Sequence, residues 1–407
     1  MTISLPAVPA QGRDSLPSVA DVFVYAAAQI HRAAAQLWPG LPVSLEQHVP
    51  SVTGYVHRAR VGERTLYAKT SLLGVSLVSL LRGACGHWPA VLEEQRAYVT
   101  QPDGLLQREA AQLRILAALD RPRVCAVAGL AQGVIFTEPV TGPNLGELLL
   151  ARPGDTAELL TAAFDELRPL HREGAAKALD PGGVIGERSI AGTFQRKFNG
   201  LSGLYYIERI GAERCADPAR QEVVSLVRGC VDRLWRLRML LPAADGTTLA
   251  YGDLKPEHVV FPDGAGARPV MLDPGLMRSA PMVDVAKMVS RTVLTLAADR
   301  PGAETSRQIL DGFTVFAVSR MAHMPAADQR IWLRHLLTLW AMDTLNILTT
   351  YLSAPAGLPL PHLGAALVDQ AVPLCRMVDR ISAELAERPS QLDVWDRALD
   401  EALAVAS

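Results

Sequence analysis

The pattern of apolar and polar positions divides the chain into a first helix, a region of strands and a long helical remainder. Ser18 and Asp21 have the spacing of a capping box, with Asp in place of the usual Glu or Gln, and an amphipathic run follows them. This pattern predicts a helix over 19–37. Residues 42–70 are rich in Val, Tyr and Thr, with glycine between the runs, which predicts two or three antiparallel strands.

The next part of the chain mixes helical and strand patterns. Residues 71–104, here called the insertion, have helical spacing, and a further helix is predicted over 105–119. Two more strands are predicted at 124–130 and 133–139. The insertion is predicted to be broken at three positions: Gly83, Gly86 and Pro89.

Long helical patterns dominate after residue 141. Two of them cover 148–171 and 218–241, and nearly everything from residue 283 onward has helical spacing. One strand–turn–strand unit over 259–272 interrupts the helices. The chain therefore reads as a small unit rich in strands followed by a large helical unit.

Composition and charge limit the classes of function. The 407 residues are 49% hydrophobic and 20% charged with a net charge of −2, which is typical of a globular protein. We expect no nucleic-acid partner, because such proteins carry a large cationic surplus. We also expect no transmembrane segment, since the longest apolar run, Ser71–Leu81, is far shorter than a bilayer span. Five scattered cysteines and the lack of a secretion signal favour a cytoplasmic location.

The most informative segment is residues 251–258, Tyr-Gly-Asp-Leu-Lys-Pro-Glu-His, followed 15 residues later by Asp273-Pro-Gly. It resembles the catalytic loop and metal-binding turn of the eukaryotic-like kinase superfamily, and most of all the aminoglycoside and choline phosphotransferase branch. The resemblance extends from about residue 50 to residue 290. It implies a protein-kinase-like α+β fold with a small β-rich lobe that binds nucleotide and a large helical lobe.

The resemblance also sets the expected domain limits. A helical extension would cover 1–40, and the β-rich lobe, including the insertion, would cover 41–140. The helical lobe would cover 141–407 and contain the catalytic loop region at 249–275.

Roles in phosphoryl transfer follow from the same resemblance. Asp253 would be the catalytic base that accepts the acceptor's hydroxyl proton, and Asp273 would hold Mg²⁺. His258 stands where the family usually has Asn, and imidazole is a poorer ligand for Mg²⁺ than an oxygen, so a second metal site is left open. Lys255, two residues after the base, resembles a lysine of Ser/Thr protein kinases that contacts the transferring phosphate.

Lys69 is one of only five lysines among 40 basic residues, and it ends a predicted strand that resembles the strand of the phosphate-binding lysine. Its expected partner is Glu109, which shares a helical face with Leu113 and Leu116. A carboxylate on an apolar face requires a partner, because leaving it unpaired in a dry environment costs several kcal/mol. The alternative is an ordinary surface glutamate beside Arg108.

Two weaker resemblances complete the predicted nucleotide site. Thr53 and Gly54 fall in the segment that would cover the phosphates, although it has one glycine where protein kinases have three. Residues 135–142 resemble the hinge between the lobes, whose backbone at Glu138 and Val140 would bind adenine.

Asp284 resembles an aspartate that supports the catalytic loop, whereas a helix N-terminal carboxylate is an equal alternative.

The resemblance implies a kinase that moves the γ-phosphoryl group of ATP, with GTP as the other candidate nucleotide, to an alcohol of a small molecule. Lys255 favours a second acceptor, the Ser or Thr hydroxyl of a peptide precursor in natural-product biosynthesis of the lanthipeptide kind. His258 and Pro274 favour a third reading, a pseudokinase that binds nucleotide without turnover. The insertion either packs on its own lobe or forms a surface for an acceptor, a partner or a second subunit.

Overall fold

The computed structural model describes residues 15–180, 183–186, 189–241, 246–387 and 393–407. Residues 1–14 of the predicted N-terminal extension lie outside these ranges. Among the described residues, no helix combines the length and the apolar character needed to cross a membrane.

A five-stranded antiparallel sheet forms the first lobe. Its strands are β1 (Val43–Val49), β2 (Tyr55–Val61), β3 (Arg64–Thr70), β4 (Val127–Ala131) and β5 (Val134–Thr137). They are arranged in the order β1-β2-β3-β5-β4, and a two-residue turn joins β2 to β3. Buried and less buried positions alternate along β3, so one face of this central strand lies against a hydrophobic core.

The first helix, α1 (Val19–Leu37), covers that face of the sheet. Ser18 caps it, because the Ser18 side chain accepts from the Asp21 N–H and the Asp21 carboxylate accepts from the Ser18 N–H, as the capping-box spacing predicts. The buried side chains of Ala26 and Ile30 lie in one core cluster with strand residues such as Phe136. The helix predicted as an extension is therefore packed onto the strands of the first lobe.

Three helices lie between β3 and β4: α2 (Leu77–Leu81), α3 (Trp88–Tyr98) and α4 (Leu105–Ala117). The break predicted at Pro89 is wrong, because Pro89 lies in the first turn of α3. Proline fits there since the first N–H groups of a helix have no partner within it.

The apolar residues of the insertion are buried within the chain. Leu77 and Leu80 are 2% and 1% exposed and share a core cluster with Val22 of α1. The N–H of Val78 donates to the carbonyl of Val52 at 3.3 Å, which attaches α2 to the loop between β1 and β2. These contacts favour packing on its own lobe, and a partner or dimer surface formed by the insertion's exposed residues stays a prediction.

Twelve helices account for most of the remaining described residues. They are α5 (Leu145–Ala151), α6 (Thr156–Glu166), α7 (Ala175–Ala178), α8 (Ile190–Phe198), α9 (Gly200–Glu208), α10 (Asp217–Arg238), α11 (Met282–Asp299), α12 (Ala303–Met321), α13 (Ala326–Leu352), α14 (His362–Asp369), α15 (Ala371–Glu387) and α16 (Val394–Ala406). The single helix predicted over 148–171 is wrong, because a 3₁₀ turn at Pro153–Asp155 separates α5 from α6. Pro153 cannot donate a backbone hydrogen bond to α5, so α5 ends before it.

Four two-residue strands lie among these helices and support the loops between them. They are β6 (Leu249–Ala250), β7 (Val259–Val260), β8 (Val270–Met271) and β9 (Met277–Arg278), and they pair antiparallel as β6 with β9 and β7 with β8. The backbones of Val124 and Met271 are also bridged, which links the segment before β4 to β8. The predicted two-lobed α+β fold is confirmed, and we propose residue 140 as the end of the first lobe.

Candidate active site

The two motif segments lie side by side. Gly252 has φ +85°, and a Cβ atom on it would lie 2.0 Å from the carbonyl oxygen of Gly275, so only glycine fits there. The N–H of Gly275 donates to the carbonyl of Tyr251 at 2.9 Å. This close backbone contact brings the side chains of Asp253 and Asp273 near each other. The region around these two side chains is called the cleft below.

Asp284 anchors the start of the catalytic loop. Its carboxylate is fully buried and accepts from the N–H groups of Tyr251 at 2.7 Å and Gly252 at 2.9 Å. His171 Nε2 lies 3.1 Å from the same carboxylate. Asp284 therefore does more than favour its own helix N-terminus: it fixes the backbone that carries Asp253. The site predicted from sequence did not include His171, whose partner lies 113 residues away along the chain.

Lys69 contacts two carboxylates in the cleft. Its Nζ lies 2.9 and 2.8 Å from the two carboxylate oxygens of Glu109 on α4, and 3.4 Å from Asp273 Oδ2. Burial lowers the pKa of Lys69, but Asp273 and Glu109 outweigh burial and hold that pKa above its ordinary value. Burial raises the pKa of Glu109, and Lys69 opposes that rise. A charged lysine is thus held between the lobes, as phosphate binding would require.

Cations surround Asp253. Lys287 Nζ lies 3.3 Å from its Oδ1, and Lys255 Nζ lies 4.0 Å from its Oδ2. Burial raises the pKa of Asp253, but Lys255 and Lys287 lower that pKa more strongly, and the net result is a pKa well below the ordinary value. Asp253 is therefore a carboxylate at neutral pH and can accept a hydrogen bond from a hydroxyl group.

His258 lies between the two aspartates. Its Nδ1 is 3.2 Å from the backbone carbonyl of Asp253, and its Nε2 is 3.6 Å from Asp273 Oδ2. Burial and the neighbouring Lys255 lower the pKa of His258 to about 4. The imidazole is therefore neutral at physiological pH, so it offers one lone pair and adds no positive charge to the cleft.

Helix α11 supplies Asp284, which was predicted to support the catalytic loop, and two groups that the predicted site did not include, Lys287 and Arg291. Asp284, Lys287 and Arg291 are spaced three and four residues apart, so they lie on one side of the helix. Arg291 Nε lies 3.0 Å from Asp343 Oδ2 on α13, and the two side chains are 11% and 5% exposed. The helical spacing of these charges is visible in the sequence, but the distance of Lys287 and Arg291 from the motif segments hid their connection to Asp253.

The predicted phosphate-covering loop joins β1 to β2. Ser51 Oγ accepts from the N–H of Thr53 at 3.2 Å and of Gly54 at 3.4 Å, which closes the loop into a turn. A Cβ on Gly54 would lie 3.1 Å from the carbonyl oxygen of Thr70, the residue after Lys69. The loop therefore runs next to the strand of Lys69. Phosphate binding by Thr53 and Gly54 stays a prediction.

The predicted hinge follows β5. The N–H of Glu138 already donates to the carbonyl of Ala126 at 2.9 Å, and the Glu138 carboxylate pairs with Arg64 at 2.5 Å. Because the Glu138 N–H is already paired, the backbone groups predicted to bind adenine are the Glu138 carbonyl and the Val140 N–H. Val140 and Leu272, the residue before Asp273, both pack against the same small core cluster.

The cleft offers an incomplete set of metal ligands. Within the described parts of the chain, no three His, Cys, Asp or Glu side chains form a group that could hold a metal ion. Asp273 has φ +49°, an uncommon conformation for a residue with a side chain, and its carboxylate is 40% exposed. The donors fit a cation that takes its other ligands from phosphate oxygens and water, which is the usual arrangement for Mg²⁺ with a nucleotide.

Comparison with known proteins gives similarities in structure alone. No protein-family model matches the sequence, and no curated protein matches it. Solved structures similar to this chain include a putative aminoglycoside phosphotransferase from Ralstonia eutropha, at 15% identity and a TM-score of 0.42, covering 89% of this chain and 98% of that one. An ethanolamine kinase from Plasmodium vivax aligns at 12% identity and a TM-score of 0.44, covering 90% of this chain and 93% of that one. A choline kinase from Streptococcus pneumoniae aligns at 14% identity and a TM-score of 0.42, covering 86% of this chain and 99% of that one.

These three proteins are named as a phosphotransferase for aminoglycosides and as kinases for ethanolamine and choline. All three TM-scores lie below 0.5. The case for the activity of this chain therefore rests on the residues of its own cleft.

Proposed function

We propose that the protein transfers the γ-phosphoryl group of ATP to a hydroxyl group of a small molecule, with a divalent cation. One observation carries the proposal. Lys69 Nζ lies within 3.4 Å of both Glu109 and Asp273, and His258 lies 3.6 Å from the Asp273 carboxylate and 3.9 Å from the Asp253 carboxylate. Phosphoryl transfer requires a phosphate-binding cation, a metal-binding carboxylate and a hydroxyl-binding carboxylate in one place.

The charges in the cleft suit the phosphates of ATP, the proposed phosphoryl donor. Lys69 is held by Glu109, so it can bind a phosphate oxygen without leaving the Glu109 carboxylate unpaired. The carboxylate of Asp273 would hold the divalent cation, which when bound neutralises charge on the phosphates. The contact between Lys69 and Asp273 would lengthen as phosphate and cation enter between them.

Asp253 would act mainly by orientation. A carboxylate with a strongly lowered pKa is a weak base, so it cannot remove the proton of an alcohol before phosphorus–oxygen bonding begins. It can accept the hydroxyl hydrogen bond and point the oxygen at the phosphorus. In a loose transition state the proton of the acceptor hydroxyl becomes acidic only once the phosphorus–oxygen bond is forming. Asp253 would receive the proton at that stage.

The nucleotide is proposed to be ATP, with GTP as the alternative. The carbonyl of Glu138 would accept from the exocyclic amine of adenine, and the N–H of Val140 would donate to a ring nitrogen. Guanine presents a carbonyl where adenine has the amine, so it cannot donate to Glu138 in the same pose. We place the activity in the cytoplasm, because all five cysteines are unpaired and ATP is the donor.

A peptide hydroxyl is the second candidate acceptor. Lys255 Nζ lies 4.0 Å from Asp253 and 3.7 Å from Glu257, close enough to contact a phosphoryl group in transfer. The third reading, a pseudokinase, is disfavoured because Lys69, Asp253 and Asp273 are all present and close together, although His258 and Pro274 favour it. These three readings differ in whether ATP is consumed and in what is phosphorylated.

ATP consumption separates the three readings. The protein is incubated with ATP, Mg²⁺ or Mn²⁺, and in turn with amino alcohols, aminoglycosides, other polyols and Ser/Thr-containing peptides. We expect acceptor-dependent ADP formation and a product heavier by one phosphoryl group with a small molecule. Asp263→Asn, which changes an aspartate 67% exposed in a nearby turn, is the matched control for Asp253→Asn. Nucleotide binding without ADP formation for any acceptor would favour the pseudokinase, and a phosphopeptide would favour the second candidate.

A further inference from the structure

The orientation of His258 is fixed by a backbone group. Its Nδ1 lies 3.2 Å from the carbonyl oxygen of Asp253, and a carbonyl oxygen can only accept a hydrogen bond. Nδ1 therefore carries the ring proton. The side chain is 11% exposed, so the ring is held in this position by its surroundings.

The other ring nitrogen faces a carboxylate. With the ring proton on Nδ1, Nε2 presents a lone pair, and it lies 3.6 Å from Asp273 Oδ2, which is an acceptor and is too far away for a hydrogen bond. Two lone pairs that face each other with no proton between them repel. A cation between Nε2 and Oδ2 would remove the repulsion, and a separation of 3.6 Å lets both atoms reach one ion at about 2.1–2.2 Å.

The same arrangement is common in metal sites. A histidine that binds a metal usually donates its other ring N–H to a carbonyl or a carboxylate, which fixes the tautomer and aims the free lone pair. Here the carbonyl belongs to Asp253, so the residue that would orient the acceptor hydroxyl also orients the ring.

We propose that His258 Nε2 is a direct nitrogen ligand of the divalent cation that enters with the nucleotide, and that the site selects Mn²⁺ or Co²⁺ over Mg²⁺. This inference rests on the proposed function, because phosphate oxygens must supply ligands that the protein lacks. Mg²⁺ binds oxygen donors, whereas affinity for a nitrogen donor rises from Mn²⁺ to Co²⁺. A nitrogen ligand next to Asp273 therefore favours the transition metals.

The nitrogen ligand can be observed directly. The protein is labelled with ¹⁵N-histidine and loaded with Mn²⁺ and the non-hydrolysable nucleotide β,γ-methylene-ATP, and pulsed electron paramagnetic resonance measures hyperfine coupling to ¹⁵N. The nucleotide carries natural nitrogen, so a ¹⁵N coupling can come only from a histidine. We expect the coupling in the parent protein and in His31→Asn, whose changed residue is exposed on α1. We expect its loss in His258→Asn.

Metal selectivity gives the second readout. Dissociation constants for Mg²⁺ and Mn²⁺ are measured by titration in the presence of saturating β,γ-methylene-ATP. The preference for Mn²⁺ over Mg²⁺ should fall by roughly tenfold in His258→Asn, because the amide oxygen of Asn suits Mg²⁺ better. His31→Asn should keep the preference of the parent protein.

The outcomes separate this inference from the proposed function. A parent complex that binds Mn²⁺ and nucleotide but shows no ¹⁵N coupling overturns the nitrogen ligand and leaves the proposed function standing. A coupling that persists in His258→Asn assigns the ligand to another histidine and also overturns the inference. Failure of the parent protein to bind nucleotide with any cation overturns both. If His258→Asn does not fold, His258→Gln gives the same comparison.

Discussion

Replacing His258 should change how the stability of the metal-free protein depends on pH. The folded structure holds this imidazole neutral, because burial and Lys255 lower its pKa from 6.5 to about 4. Between these two values the unfolded chain binds a proton that the folded chain does not bind. Stability contributed by neutral His258 is therefore present above pH 6.5 and is lost as the pH falls towards 4.

The size of the loss follows from the two pKa values. Linkage between protonation and folding gives about 2 kcal/mol of lost stability at pH 5 and about 3 kcal/mol at pH 4 for this one group. Asparagine has no proton to gain in this range. The free energy of unfolding of His258→Asn should therefore fall about 2 kcal/mol less than that of the parent protein between pH 7.5 and pH 5.

Urea unfolding followed by circular dichroism at several pH values, with a chelator present, measures these free energies. His31→Asn is the control, since His31 is exposed on α1 and its replacement should leave the parent's pH dependence unchanged. Parallel curves for His258→Asn and the parent protein would refute the claim that His258 is buried and neutral between the two aspartates.

Three further predictions concern the ion pair, the insertion and the loop anchor. Lys69→Ala and Glu109→Ala should each lower ATP turnover, Lys69→Ala more because it also removes the proposed phosphate contact, and the double variant should be little worse than Lys69→Ala; additive losses in kcat/KM would argue against the pair. Leu80→Ala should cost about 2–5 kcal/mol in urea unfolding, whereas Leu201→Ala, at a residue 85% exposed, should cost little; equal losses would contradict burial of the insertion. Asp284→Ala should lower kcat far more than ATP affinity, because it frees the N–H groups that hold the catalytic loop, and an unchanged kcat would remove Asp284 from that role.

Features set by local sequence could be predicted well. The capping box of Ser18 and Asp21 predicted α1 with the bounds that the structure has. The apolar face around Glu109 predicted that its carboxylate needs a partner, and the structure has Lys69 there. Capping and helical periodicity are short-range effects, so a pattern within a few residues predicts α1 and the need of Glu109 for a partner. That the partner is Lys69, 40 residues away, was expected from the resemblance.

Features that depend on the packing of distant segments could not be predicted. His171 and Asp284 are 113 residues apart, and no pattern in either segment shows that they meet. Lys287 reaches Asp253 only because α11 packs against the catalytic loop. Helix breaks at proline were also misjudged, because Pro89 lies within the first turn of α3 whereas Pro153 separates α5 from α6.

Comparing catalysis and nucleotide binding in Asp253→Asn tests whether this cleft transfers phosphoryl groups. Phosphoryl transfer from γ-labelled ATP to the best acceptor is measured beside the ATP dissociation constant, for the parent protein and the variant. Asparagine keeps the shape of the side chain but cannot take the proton, so turnover should fall by roughly 10²–10⁴ while ATP affinity stays nearly unchanged. Unchanged turnover in Asp253→Asn would contradict the assignment of this cleft as a phosphoryl-transfer site.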